Sequence, residues 1–160
     1  MPKESIIPDP ARKPRGFVPA TKIGNLLFVS GQTGTDDHGK VVGGLPEQAV
    51  QTFKRIEDVL RAAGATMDDV LKITCFLVRA DDYKEYSRVR EQVFSPDAQP
   101  ASSTVVVKQL VRPELLIEIE AIAPKDTMTA AVYGSFSSAD EAPGGHHDGD
   151  LAVDDDRVTE

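Results

Sequence analysis

Residues 115–123 read LLIEIEAIA, and this stretch decides the fold class. From Ile117 onward apolar and acidic residues alternate, which is the period-two pattern of a β-strand with one buried face and one polar face. The alternation puts Glu118 and Glu120 on the same face, and Pro124 ends the strand. On a face open to water these are ordinary solvated charges. On a partly covered face their pKa would rise, which suits a carboxyl group to acid–base chemistry.

The sequence on the N-terminal side of this strand predicts the rest of one α+β layer. We expect strands at residues 16–23, 26–30, 70–78, 103–111 and 115–123, and helices at residues 46–63 and 81–94. Apolar residues recur at spacings of three and four in the first helix, which gives it one apolar stripe. Pro46 at its start and Gly64 after its end are typical of helix termini. The order of elements predicts an α+β fold with two helices on one face of a sheet.

The strand predicted at 103–111 indicates that the sheet has a second covered face. Residues 104–107 read TVVV, so apolar side chains point to both sides of this strand. Two helices can cover only one face of the sheet. In a chain this short, the cover that we expect on the other face is a second copy of the chain, and the pattern therefore predicts a homo-oligomer.

Length and composition exclude several classes of protein. The chain has 160 residues, of which 40% are hydrophobic and 28% are charged, which suits one globular domain. No stretch approaches the roughly 18 apolar residues of a membrane helix, and the N-terminal residues lack the apolar region of a secretory signal. The single cysteine, Cys75, excludes an intrachain disulfide framework and a cysteine-rich zinc site. We therefore expect a cytoplasmic protein.

The net charge of −8 is concentrated at one end of the chain. Residues 127–160 contain eight acidic residues and one basic residue, whereas residues 1–126 contain 18 acidic and 17 basic ones. A nucleic-acid surface needs clustered Lys and Arg, and an acidic end repels phosphates and anionic lipids. The sequence predicts neither a nucleic-acid partner nor a membrane partner.

The chain divides into three segments by composition. Residues 1–15 contain four prolines and are predicted to form an extended arm, residues 16–126 form the folded domain, and residues 127–160 form an acidic tail. The tail has too few large apolar residues to offset its ordering entropy, so we expect it to be disordered. His146 and His147 lie in this tail, where adjacent histidines lack the preorganisation of a metal site, and we predict no metal.

Several stretches of the domain occur in an order typical of a known family. They are GNLLFVSGQ at 24–32, QAVQTF at 48–53, LRAAGA at 60–65, VLKITCFL at 70–77 and IEIEAIA at 117–123. This ordered set resembles the RidA/YjgF family over residues 16–124. The resemblance implies a chorismate-mutase-like fold assembled as a homotrimer, with small-molecule clefts at the interfaces between subunits.

The resemblance also implies an activity and the residues that perform it. Many members of the family hydrolyse reactive enamines or imines to a keto acid and ammonia without a cofactor. By resemblance, Glu118 would orient the attacking water, and Ser30 and Gly31 of the SGQ motif would line the cleft. The backbone at Thr104 would help to hold the water.

Two positions depart from the pattern of the family. Ser102 stands where the family has an arginine that holds the substrate carboxylate, and Phe17 stands where the family has a tyrosine. A serine cannot supply the charged, bidentate grip of a guanidinium, so we expect little activity on 2-aminoacrylate or simple imino acids. Arg88 and Arg90, on the second predicted helix, are candidates for a replacement cation.

The sequence leaves three functions open. The first is an enzyme acting on a small imine or enamine, in which Glu118 activates water while Ser30 and Ser102 bind a less anionic substrate. The second is a trimeric ligand-binding or regulatory protein without catalysis, and the third is other cofactor-free chemistry in a pathway-specific step. Glu118→Gln separates the first two, because an enzyme loses turnover whereas a sensor keeps its affinity for ligand.

Overall fold

A computed structural model describes residues 2–12 and 14–125 of the chain. The strands are β1 (Glu4–Ile6), β2 (Ala20–Ile23), β3 (Leu26–Thr33), β4 (Lys72–Leu77), β5 (Ala101–Val106) and β6 (Ile117–Pro124), and the helices are α1 (Leu45–Ala63) and α2 (Tyr83–Val93). The predictions made for the acidic tail and its histidines lie outside the described residues. None of the described helices is both long enough and apolar enough to cross a membrane.

The six strands form one mixed sheet in the order β1-β2-β3-β6-β4-β5. Only the β4–β5 pair is parallel, and β6 lies between β3 and β4 with antiparallel pairing on both sides. The strand with the alternating sequence is therefore an inner strand, and its alternation is confirmed. Ile117, Ile119 and Ala121 are buried, whereas Glu118 is half-buried and Glu120 is exposed. The predicted α+β class is confirmed.

The core lies between one face of the sheet and the two helices. Phe53 of α1 stacks on Tyr86 of α2 with ring centroids 6.4 Å apart, and it meets Phe94 edge to face at 5.7 Å. Burying an aromatic or branched side chain of this kind contributes about 1.5–3 kcal/mol. Both helices therefore pack on the same face of the sheet, as the sequence predicted. Tyr83, the first residue of α2, is 47% exposed.

A buried glutamine ties α1 to the beginning of β6. The Gln48 side chain is 1% exposed, and its Oε1 accepts a hydrogen bond from the Leu116 N–H at 2.8 Å. Its Nε2 donates to the Glu114 carbonyl at 3.1 Å. Buried backbone groups need such partners, so this contact fixes where the chain enters β6, two residues before Glu118.

The N-terminal arm differs from the sequence prediction. Residues Glu4–Ile6 form β1, which pairs antiparallel with β2 and gives the sheet an additional edge strand. A three-residue strand between prolines carries too short a pattern to be recognised. The strands predicted at 16–23 and 26–30 are joined as a hairpin, since Ile23 pairs with Leu26 across the two-residue turn Gly24–Asn25.

The face of the sheet opposite the helices keeps large apolar side chains in contact with solvent. Phe28 of β3 and Val105 of β5 lie on this face and are 43% and 44% exposed. Val106, the next residue of β5, points to the helix side and is 54% exposed. Within the described residues, the chain does not supply the cover that the TVVV pattern requires. Cover by a second copy stays a prediction.

Candidate functional site

A β-bulge in β3 creates the most irregular part of the sheet. The register between β3 and β6 shifts between Val29 and Gln32, because Ser30 and Gly31 give β3 one more residue than β6 has. A bulge of this kind bends the strand and redirects side chains, and bulges are frequent beside active sites. The SGQ motif of the sequence is therefore the bulge itself.

Gly31 makes room for the carboxylate of Glu118. A Cβ atom added at Gly31 would lie 2.8 Å from Glu118 Cδ, in space that the carboxylate occupies. The absence of a side chain at position 31 thus lets the carboxylate lie against the backbone of the bulge. Burial, and then the charge of Glu120, raise the pKa of the Glu118 carboxyl. A raised pKa makes a carboxylate a stronger base than an ordinary glutamate, which suits it to accepting and returning a proton.

Ser30 holds the segment that carries Phe17. Its hydroxyl donates to the Val18 carbonyl at 2.7 Å, and its N–H donates to the Pro19 carbonyl at 2.9 Å. Phe17 is 55% exposed and lines the same cleft as Ser30. Because its proton is committed to a backbone carbonyl, the Ser30 hydroxyl faces a ligand as an acceptor.

A cleft of about 700 Å³ lies in front of the bulge. Its apolar lining includes Pro8, Pro14, Phe17, Pro19, Val59 and Val111. Among the described residues, the charged groups of the lining are Asp9, Asp37, Arg55, Asp58, Glu118 and Glu120. Glu118 and Glu120 make the part of the cleft in front of the bulge negative, which favours neutral or cationic groups of a ligand there.

Arg55 is a cleft residue that sequence reasoning missed. It lies on α1, where its Nε donates to Gln32 Oε1 at 3.3 Å and its Nη1 donates to the Thr35 carbonyl at 3.4 Å. A basic residue flanking the apolar stripe of an amphipathic helix is typical of a solvated charge. No signal in the sequence distinguishes it from the other basic residues of α1.

Ser102 and Arg90 form a second polar group at the β5 edge of the sheet. Ser102 pairs with Ile73 of β4 and therefore points to the helix side of the sheet. Arg90 Nη1 donates to Ser102 Oγ at 3.3 Å, and Nη2 donates to Ser87 Oγ at 3.3 Å. The guanidinium carbon lies 5.5 Å from the centroid of the Tyr86 ring. Of the two arginines that the sequence singled out, Arg90 is the one beside Ser102.

The remaining predicted site residues lie apart from the cleft. Arg88 is exposed and its Nη1 donates to Glu85 Oε1 at 2.7 Å. Thr104 is half-buried and pairs with Cys75. Cys75 is fully buried, and burial raises the pKa of its thiol to about 12, which makes it a core residue rather than a nucleophile. In residues 2–12 and 14–125, no cluster of His, Cys, Asp and Glu could hold a metal ion.

Within one chain, the predicted site residues fall into two groups. Phe17, Ser30, Gly31 and Glu118 line one cleft. Ser102 and Arg90 lie on the helix side of the sheet, whereas Glu118, which pairs with Phe76, points to the opposite side. Alternation along the strands keeps these two sides apart. A single chain therefore does not bring Arg90 to the Glu118 carboxylate.

Comparison with known proteins extends these observations. The profile of the endoribonuclease L-PSP family matches residues 10–125. A RutC family protein of Pyrococcus abyssi is 37% identical over 129 residues, which cover 79% of this chain and all of that protein. The 3-aminoacrylate deaminase RutC of Acinetobacter baylyi is 36% identical, with 77% and 98% of the two chains covered. A 2-iminobutanoate/2-iminopropanoate deaminase of Dermatophagoides farinae is 33% identical, with 76% and 95% covered.

The fold has a close counterpart among solved structures. The Rid-family protein YyfA of Yersinia pestis superposes with a TM-score of 0.72 at 29% sequence identity, covering 77% of this chain and 99% of that one. The sheet and the two helices thus agree with a solved structure of the family. The chain belongs to the endoribonuclease L-PSP family, the family of the RidA, YjgF and RutC proteins.

Proposed function

We propose that this protein hydrolyses a small imine or enamine to the corresponding carbonyl compound and ammonia. The observation that carries the proposal is the Glu118 carboxyl, half-buried against Gly31 in the bulge with a raised pKa. A group in this state is suited to activating water. Two of the relatives are named as deaminases of such compounds, 3-aminoacrylate in one and 2-iminobutanoate or 2-iminopropanoate in the other.

The proposed reaction needs no cofactor because it is a hydrolysis without net oxidation. The substrate binds as the protonated imine, whose extra proton comes from solvent. The Glu118 carboxylate takes a proton from water while the water oxygen bonds to the imine carbon and the C=N π electrons move to the nitrogen. The carboxyl then returns its proton to the nitrogen of the tetrahedral intermediate. The C–N bond breaks and ammonia leaves, while the hydroxyl proton passes to the Glu118 carboxylate as the carbonyl forms, and the carboxyl releases that proton to ammonia or solvent. An enamine enters the same sequence after protonation at its β-carbon gives the imine.

The charges of the cleft support an imine rather than a nucleic-acid substrate. The Glu118 and Glu120 carboxylates would stabilise a protonated imine, which is a better electrophile than the neutral form. The same carboxylates repel a phosphate backbone. Although the name of the family includes the word endoribonuclease, we do not propose ribonuclease activity for this chain. A metabolite-directed deaminase fits the cytoplasmic location that the sequence predicts.

The proposed enzyme works as a homotrimer. The cleft with Glu118 and the group with Ser102 point to opposite sides of one sheet, and the apolar residues Phe28 and Val105 are left uncovered. Packing copies of the chain on this face would bury those residues, as sheet faces require. It would also let the two groups face each other across an interface.

The test is turnover by the purified protein, with imines generated in solution by an amino-acid oxidase and trapped with semicarbazide. We expect the wild type to accelerate hydrolysis, and Glu118→Gln to lose about a hundredfold or more of kcat/KM, the usual contribution of a general base. The matched control is Glu57→Gln, an exposed α1 residue paired with Arg61, which should keep wild-type activity.

Two results would contradict the proposed function. One is a Glu118→Gln variant as active as the control. The other is a wild type that leaves every imine tested at its background rate but binds carbonyl analogues, with affinity that Glu118→Gln preserves. The second result would identify a ligand-binding protein without catalysis.

A further inference from the structure

Like Arg55, and unlike four other arginines of the described domain, Arg90 makes its hydrogen bonds with neutral groups. Arg61, Arg79, Arg88 and Arg112 each pair with a carboxylate. Within the described residues Arg90 has no carboxylate within ion-pair distance, and its hydrogen bonds go to the hydroxyls of Ser87 and Ser102. Both contacts measure 3.3 Å, which is long for a guanidinium donor. The cation is held in place but not neutralised.

Tyr86 supplies a second and independent sign of a missing partner. Its side chain is fully buried, and no hydrogen bond with good geometry satisfies its hydroxyl among the described residues. The Cys75 thiol, the Ser102 hydroxyl and Arg90 are among the groups near this hydroxyl, and burial raises its pKa so that it keeps its proton. A poorly satisfied buried hydroxyl is unfavourable and rare in folded proteins. The Tyr86 proton is therefore not committed to a strong acceptor.

We propose that Arg90, Ser102 and the Tyr86 hydroxyl form a binding subsite for the carboxylate group of a small substrate. The guanidinium has five N–H groups in a planar fork that matches two carboxylate oxygens. The hydroxyls of Ser102 and Tyr86 add neutral donors on the same side. This inference rests on the proposed function, since it assigns the class of imine: one that carries a carboxylate.

The subsite changes what the sequence led us to expect. Ser102 carries no charge, and the sequence therefore predicted weak binding of imino acids and a less anionic substrate. The fold brings a guanidinium to the Ser102 hydroxyl from α2 instead of from β5. The positive charge that Ser102 lacks is thus supplied by Arg90, which lies on the helix that precedes β5 in the chain.

The first test measures binding of 2-oxobutanoate, a stable carboxylate, and of its amide by calorimetry. We expect Arg90→Gln to weaken 2-oxobutanoate binding by about tenfold to a hundredfold, the value of a charge-assisted hydrogen bond, without changing the affinity for the amide. The matched control is Arg88→Gln on the same helix, which should bind as the wild type does. Equal affinities for Arg90→Gln and Arg88→Gln would overturn the subsite. Tighter binding of inorganic phosphate than of 2-oxobutanoate would overturn the assignment to a carboxylate.

Tyr86→Phe separates a ligand contact from a structural role. Because no hydrogen bond with good geometry satisfies the hydroxyl within the described part of the chain, its removal should leave the melting temperature unchanged or raise it. The same variant should bind 2-oxobutanoate several-fold more weakly. A variant that melts lower and keeps its affinity would contradict the proposal. So would a folded Arg90→Ala, Ser102→Arg double variant that does not regain the affinity lost in Arg90→Ala.

Failure of the subsite and failure of the proposed function give different results. If the wild type hydrolyses imino acids with a KM that Arg90→Gln does not alter, the subsite is wrong and the function stands. If 2-oxobutanoate binds in an Arg90-dependent manner but no imine is hydrolysed, the subsite stands and the function is wrong.

Discussion

Gly31 and Glu118 act as a pair, because the carboxylate takes the space that a side chain at position 31 would fill. The sequence showed which face of the strand Glu118 is on, since alternation alone decides that. It did not show the bulge. An inserted residue in β3 changes the register with β6 without altering the local apolar pattern enough to be read. The contact between Gly31 and Glu118 therefore depends on how β3 pairs with β6, which the sequence of either strand alone does not predict.

The raised pKa of Glu118 predicts how stability depends on pH. Burial and the charge of Glu120 disfavour the ionised form in the folded protein. A carboxyl whose folded pKa is raised stabilises the fold below its unfolded pKa, near pH 4.3, and that contribution is lost as the pH rises through the folded pKa. Glutamine does not ionise, so Glu118→Gln should melt at a higher temperature than wild type at neutral pH and lose this advantage at about pH 4.

Melting curves of both proteins across this pH range provide the measurement. Glu57→Gln, at an exposed position, controls for the loss of one negative charge and should show a much smaller pH-dependent difference. A Glu118→Gln variant that is relatively more stable in acid than at neutral pH would show that the fold favours the carboxylate, which is the opposite of the expected sign.

At the scale of elements, the periodic parts of the chain were predictable and the connections between them were not. The helix at 46–63 and the strand at 115–123 have patterns long enough to fix their type and most of their boundaries. β1 is too short for that. The sequence named both Arg88 and Arg90, and the spacing favours Arg90, because it follows Tyr86 by four residues and so shares its helix face. That pattern does not tell how far α2 lies from β5.

Gln48 shows how a helix can set the position of the strand that carries Glu118. Its side chain accepts from the Leu116 N–H and donates to the Glu114 carbonyl. Gln48→Ala leaves both backbone groups without this partner, so we expect a loss of about 2–4 kcal/mol in the free energy of unfolding. Urea denaturation measures this loss, with Gln92→Ala, exposed on α2, as the control.

The same variant reports on the site. If α1 positions β6 through Gln48, kcat should fall in Gln48→Ala under conditions where the variant is fully folded, because Glu118 follows Leu116 by two residues. A variant that is destabilised but fully active would restrict Gln48 to a structural role. A variant as stable as Gln92→Ala would show that the two hydrogen bonds contribute nothing.

At the scale of the whole molecule, the two proposed parts of the site are separated by the sheet. The proposed water-activating group and the proposed carboxylate subsite point to opposite sides of one sheet. A substrate small enough to be an imino acid cannot reach both within one chain. The sequence predicted a second copy from the TVVV pattern alone, because both faces of that strand need cover. Which residues would meet across the interface depends on the arrangement of copies, which local patterns do not contain.

If each site takes Glu118 from one copy and Arg90 from its neighbour, two inactive variants should restore each other. Glu118→Gln and Arg90→Gln subunits, each assembled alone, have a defect in every site. In a ring formed from equal amounts of both after unfolding and refolding together, about a quarter of the sites join two wild-type residues. Activity on an imino acid should therefore return to about a quarter of the wild-type value, while sedimentation reports the same assembly throughout.

Recovery must depend on refolding the subunits together, because mixing intact assemblies on ice leaves each site unchanged. If co-refolded samples show no more activity than the sum of the separate variants, Glu118 and Arg90 do not act across an interface. A wild type that sediments as a single chain while turning over substrate would exclude an interfacial site altogether.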